Sequence, residues 1–200
     1  MTTALLWCGI VGTVGFVTVF VVDGATRPGY DWRRHAVSAL ALGPRGWLQT
    51  SNFVVCGLLV TAAASGIRLA TDAVVLPASV AVFGVALVLS GVFPMDPMRA
   101  YPPGTPDQDP TGFTTRHKMH DLAGMVVFGS MPVMAVAAAL TLPSTPMRAY
   151  SAAAAVATAV LAVAFSTAWE RDLSWTGLVQ RTAIVAGWTW LAALCWYLLP

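Results

Sequence analysis

Two stretches decide how this chain is read: Gly91-Val92-Phe93-Pro94-Met95-Asp96-Pro97-Met98, and Arg116-His117-Lys118-Met119-His120-Asp121. The first lies where one long apolar segment ends, the second where the next begins. Proline at position 94 removes a backbone donor and closes the helix before it. An acid, two histidines and a second acid therefore stand where one greasy helix leaves a membrane and another enters. Ionisable groups at that depth are costly and mark a functional site.

Composition supports the membrane reading. Of 200 residues, 57% are hydrophobic and only 10% charged, whereas soluble domains carry about 25% charged residues. The chain reads as one polytopic domain over residues 1–200, with the lipid bilayer as its surroundings. A net charge of +2 is too small to attract nucleic acid, which is held chiefly through its phosphates. Oligomeric state is left open. Cys8, Cys56 and Cys195 fall inside apolar segments without metal or redox spacing, and read as small hydrophobes.

Working outward, six apolar runs are each long enough to cross a bilayer core of roughly 30 Å. They cover residues 4–22, 48–69, 73–94, 114–141, 149–169 and 177–199, with a kink expected at Pro132. A signal peptide is the rival for the first run, but no basic stretch precedes Ala4, so it reads as a retained helix. The expected fold is an all-α bundle of six transmembrane helices with both termini on the same side. The connections after helices one, three and five carry Arg27, Arg33, Arg34, Arg45, Arg99, Arg116, Lys118, Arg171 and Arg181, leaving only Arg68 and Arg148 of the 11 basic residues on the other side. Cytoplasmic loops are enriched in Lys and Arg. These connections are therefore expected in the cytoplasm, with both termini outside the cell membrane.

The same face gathers the chemistry. Asp31, Trp32, Arg34 and His35 come from the first connection, Asp96, His117, His120 and Asp121 from the second, and Trp169, Glu170 and Trp175 from the third. Arg181 and Trp188 follow on the sixth helix. Helical spacing puts His117, His120 and Asp121 on one face. Three chemistries compete for this constellation. His117 and His120 with carboxylates are zinc-type ligands, which points to a metal-dependent membrane hydrolase. A carboxylic acid held against apolar walls can stay protonated and donate a proton, and aromatic faces stabilise positive charge. That combination suits ring closure of a polyprene. The third reading is a non-catalytic lipid-binding or transport protein.

Residues 32–38 with Leu40, the Gly91-to-Asp96 turn, and the downstream His117 and His120 resemble the bacterial membrane-protein family known as domain of unknown function DUF998. That resemblance covers most of the chain and implies a compact helical bundle, without supplying an activity. A looser likeness is to the small membrane-bound terpene cyclases of meroterpenoid pathways, whose activity is attributed to carboxylic acids. The likeness carries no residue over to this chain.

The expected function is accordingly a protonation-initiated terpene cyclase acting on a prenylated, hydrophobic small molecule, a reaction that calls for neither cofactor nor metal. Asp96 is the expected proton donor because it follows an apolar run most closely, with Glu170 second and His120 and Asp121 orienting or recharging the acid. Asp31, Trp32, Arg34, His117, Trp169, Trp175, Arg181 and Trp188 are expected to line the substrate's path.

Overall fold

The computed structural model describes residues 1–200. It contains six α-helices and no strand: α1 (Thr2–Thr26), α2 (Gly46–Ala70), α3 (Val75–Val92), α4 (Thr115–Thr141), α5 (Thr145–Glu170) and α6 (Thr176–Tyr197), with a short 3-10 turn at Val37–Ala41. All six helices are long and apolar enough to cross a membrane. The main departure from the sequence reading is at α1, which runs past Val22 to Thr26 and so takes in Asp23. Hydropathy alone ends that run at Val22 and leaves Asp23 to the connection.

Each helix packs on the next in the chain and α6 packs back on α1, so the six form a ring. Trp7 on α1 and Trp196 on α6 meet edge-on with ring centroids 6.0 Å apart. The two termini therefore lie side by side at one end, and the connections of residues 27–45, 93–114 and 171–175 gather at the other. Apolar surface alone gives helices little reason to associate in lipid, so close packing has to do it. Between α2 and α3 the packing is nearly backbone to backbone. A Cβ on Gly84 would stand 2.7 Å from Thr61 N and 2.9 Å from the Gly57 carbonyl oxygen. Towards the terminal end, α4, α5 and α6 meet where Gly187 faces Met131 and Thr158.

The connection end is covered by a cap. Its centre is the 3-10 turn, in which Val37, Ser38, Ala39 and Leu40 are buried. Two clamps hold the turn. On the α6 side, Val37 N–H donates to Gln180 Oε1 at 2.7 Å, Leu178 N–H to the Arg33 carbonyl at 2.9 Å, and Arg181 to the His35 carbonyl at 3.0 Å. On the α1 side, Asp23, 3% exposed, pairs with Arg27 and Arg45. Arg27 also donates to the carbonyls of Leu40, Leu42 and Arg45. One buried carboxylate thus orients two guanidinium groups, and these stitch the 3-10 turn to α1 and α2.

Removing one partner of a buried charge pair strands the other, at about 3–5 kcal/mol. Asp23→Ala is therefore expected to destabilise the protein by about 3 kcal/mol or more, read from thermal unfolding in detergent. A variant that unfolds with the wild type would contradict this account of the cap.

Candidate functional site

Beneath the cap, inside the ring, lies a cavity of about 410 Å³. This falls in the 300–1,000 Å³ range usual for small-molecule sites. Its walls are mostly apolar and aromatic: Phe16, Phe53, Phe128, Phe165, Trp169 and Trp188, with Leu87, Val127 and Ile184. Ala36, Val37, Ser38 and Met95, all buried, form its roof at the cap. Polar groups are few: Ser38, Ser90, His120, Asp121, Ser166, Glu170 and Gln180. Gln180, Ile184 and Trp188 stand one turn apart on α6 and present a single face to it.

The geometry divides the expected site residues into two groups. His120, Asp121, Trp169, Glu170 and Trp188 line the cavity. Asp96, Asp31, Trp32, Arg34, His117, Trp175 and Arg181 do not.

Asp96 is the proton donor expected from its place after an apolar run, and its surroundings do not suit that role. Its carboxylate accepts from Thr114 N–H at 2.8 Å and from the Thr114 hydroxyl at 2.7 Å, which fastens the connection to the start of α4. Burial, the largest single influence, raises its pKa, but these two bonds and the nearby His117 together outweigh it, and the net shift is downward. Asp96 is therefore a carboxylate that positions a helix, outside the cavity.

The other members of this group are similarly occupied in the cap. Asp31 Oδ1 accepts from Arg33 N–H in a local turn, and the exposed Trp32 lies against Arg33. Arg34 pairs with Asp107 and Asp172, and Trp175 is exposed. Arg181 bridges Tyr30, the His35 carbonyl and its own helix at Gly177. Arg99 and Ala100 adopt left-handed backbone, φ 52° and 64°. Arg99 is held by both oxygens of Asp109 and lies over the Trp169 ring at 4.3 Å. Trp169 therefore touches the cap on one side and the cavity on the other.

The two α4 histidines face different partners. His117 Nδ1 accepts from Asp96 N–H at 2.8 Å, so the proton of the neutral ring is on Nε2, 3.2 Å from Asp121 Oδ2. His120 Nδ1 lies 3.0 Å from the Ser90 carbonyl oxygen and 2.8 Å from that of Phe93. Two acceptors at that atom place the ring proton there, and Nε2 of the neutral ring is left as a proton acceptor on a cavity-lining side chain. The two rings share no hydrogen-bond partner, and no three His, Cys, Asp or Glu side chains gather as a metal site requires.

Sequence reasoning missed Gln180 as the anchor of the roof and the phenylalanines as its walls. The one signal for Gln180 was its spacing from Trp188. Trp188 Nε1 is buried without a hydrogen-bond partner, a donor left over in a cavity wall.

His35 gives a pH test of the cap. Its Nδ1 accepts from Asp31 N–H at 2.9 Å and its Nε2 lies 3.0 Å from the Arg99 carbonyl oxygen. Burial pulls its pKa below 6.5, and the Arg99 carbonyl and Asp31, which act upward, do not restore it against Arg34 and Arg181. The unfolded chain then takes up a proton that the folded cap resists. Stability is therefore full above about 6.5 and falls as the pH drops through and below that value. The melting temperature is expected to fall between about pH 7.5 and 5.5, with a shallower fall in His35→Gln. Equal slopes in the two proteins would contradict the assignment.

Comparison with known proteins adds a family. Neither a curated protein nor a solved structure matches the chain. A family model described as a protein of unknown function, DUF998, matches residues 10–197. That match takes in all but the first turns of α1 and the last residues of the chain, and the chain belongs to the DUF998 family.

Proposed function

We propose that this protein is a membrane-embedded cyclase that protonates a prenylated or terpenoid substrate and closes a ring. The observation that carries the proposal is the cavity: apolar, aromatic on several sides, and bordered by two carboxyl groups and one histidine acceptor. A prenyl chain seated there lies against the Glu170 carboxyl and keeps water from it. That is the setting in which a carboxylic acid hands a proton to an alkene.

In the proposed reaction the Glu170 carboxyl proton goes to one alkene carbon, and the resulting cation is attacked by the π electrons of a second alkene, forming a carbon–carbon bond. Trp169, Trp188 and Phe165 offer their faces to the moving positive charge. A C–H proton next to the final cation then leaves to His120 Nε2, restoring a double bond. Mass is conserved, so the product is an isomer of the substrate. The cap side is assigned to the cytoplasm, with both termini outside the cell membrane, from the excess of arginine in the cap connections.

A second reading is favoured by one observation. Asp121 and Glu170 are exposed, with Asp121 47% open at its side chain, so neither acid is enclosed before a ligand arrives. A protein that binds or carries the same amphiphile without converting it would look the same.

Membranes containing the protein, incubated with farnesylated and geranylgeranylated acceptors, are expected to give isomers of unchanged mass. Glu170→Gln should lower the rate by about 100-fold or more, and Asp96→Asn should leave it within a few fold because that residue lies outside the cavity. Binding of the acceptors without any isomer would replace the cyclase with the carrier reading. A fully active Glu170→Gln would remove the proposed donor.

A further inference from the structure

We infer that the cavity is filled sideways from the bilayer, through a window between α4 and α5, by an amphiphile whose chain passes Gly124, Gly129 and Ala162 while its polar group stays beside Asp121 and Glu170. The inference deepens the proposed function by naming where its substrate resides, and rests on that reading only for the chemistry that follows entry.

Three observations carry it. The first is that the route along the ring axis is shut at the cap. The roof residues Ala36, Val37, Ser38 and Met95 are buried, and the Gln180, Arg181 and Asp23 clamps fix the segment that bears the first three. The second is that α5 is only partly covered over part of its length. It buries Met147, Ser151, Ala154, Ala155 and Thr158, then nothing until Ala168. The third is that residues flanking this gap are at once cavity wall and outer surface. Met125 is 66% exposed, and Gly129 and Ser166 are exposed as well, yet all three line the cavity.

The dimensions fit a lipid chain entering from one leaflet. Asp121 to Gly129 on α4 and Ala162 to Glu170 on α5 each span about 12 Å at 1.5 Å per residue. The window therefore starts at the acid-bearing end and runs about two-fifths of the way into a hydrocarbon core of roughly 30 Å. A Cβ placed on Gly124 or Gly129 meets nothing within 4 Å, in contrast to the α2–α3 glycines, which no side chain could replace without moving a backbone. These two glycines keep the window wide without serving helix packing. Phe128 and Phe165 meet across the α4–α5 gap at 5.0 Å, and a rotation of either ring changes its width.

The test uses the full chain reconstituted in phosphatidylcholine vesicles that contain a small fraction of phosphatidylcholine with a diazirine in its acyl chain. After irradiation, labelled peptides are mapped by mass spectrometry. Wild-type protein is expected to carry label on interior positions such as Trp188 and Phe16, as well as on the outward Val11 and Val14 of α1. In the double variant Gly124→Leu/Gly129→Leu, and in Ala162→Phe on the opposite side of the window, interior labelling should fall at least several fold while Val11 and Val14 stay labelled. The α1 signal shows that each variant is inserted. Interior positions left unlabelled in the wild type beside a labelled Val11 would overturn the inference. So would interior labelling that the variants do not reduce, or that appears only with a short-chain diazirine acid supplied from water. None of these readouts needs turnover, so absence of a cyclised product bears on the proposed function alone.

Discussion

The carboxylate of Asp23 is the group on which the connection end depends. It sits one turn from the end of α1, almost without solvent, and it is tolerable there because Arg27 and Arg45 meet its two oxygens. A buried charge with such partners does not by itself make a protein more stable than an apolar core would. What it does here is fix geometry. Arg27, once oriented by Asp23, has donors left for the carbonyls of Leu40, Leu42 and Arg45, and a 3-10 turn that would otherwise be a free loop becomes the roof of a cavity. The second clamp, from Gln180 and Arg181, ties the same segment to α6. Acting from neighbouring helices of the ring, α1 with α2 on one flank and α6 on the other, the two keep an apolar space empty of side chains at a depth where helices would otherwise close over it.

That division of labour explains which residues were legible in the sequence. The six helices follow from hydropathy alone, because a bilayer demands long apolar runs and little else satisfies their backbone groups. The gathering of polar residues at one end was also legible, from the odd-numbered connections. What could not be read was which polar residues face the cavity and which face each other. Asp96 follows an apolar run and looks buried. Its partner Thr114 lies 18 residues on, and only the fold brings it near. Arg34, Arg99 and Arg181 are taken up by the cap through contacts equally remote in sequence. Helical spacing grouped His120 and Asp121 correctly but drew in His117, which faces Asp96 outside the cavity, and Glu170 was legible only from its place at the end of the fifth run. Asp23 was missed because the run of α1 was ended at its last obvious hydrophobe. Arg27, four residues later, was the available sign that the helix continues.

The cavity and the cap together describe a site that is apolar and aromatic within and polar along one border. Such a site suits a molecule that is mostly hydrocarbon with one functional end. The proton chemistry proposed for it uses groups in positions they already occupy: an acid at the border, an imidazole whose proton-bearing nitrogen is held by the Ser90 and Phe93 carbonyls, and ring faces lining the walls. The tight α2–α3 pair, by contrast, gives the ring one inflexible side. The proposed entry route places the movement that admits or releases a ligand on α4 and α5.

The most direct test of this account is hydrogen–deuterium exchange of the amides at residues 37–41 in the intact protein in lipid. A roof held by two clamps keeps those amides buried, and the account predicts protection comparable to that of α2 and α3. Exchange within seconds, as in an open loop, would mean that the axial end is not closed and would contradict the cavity as described.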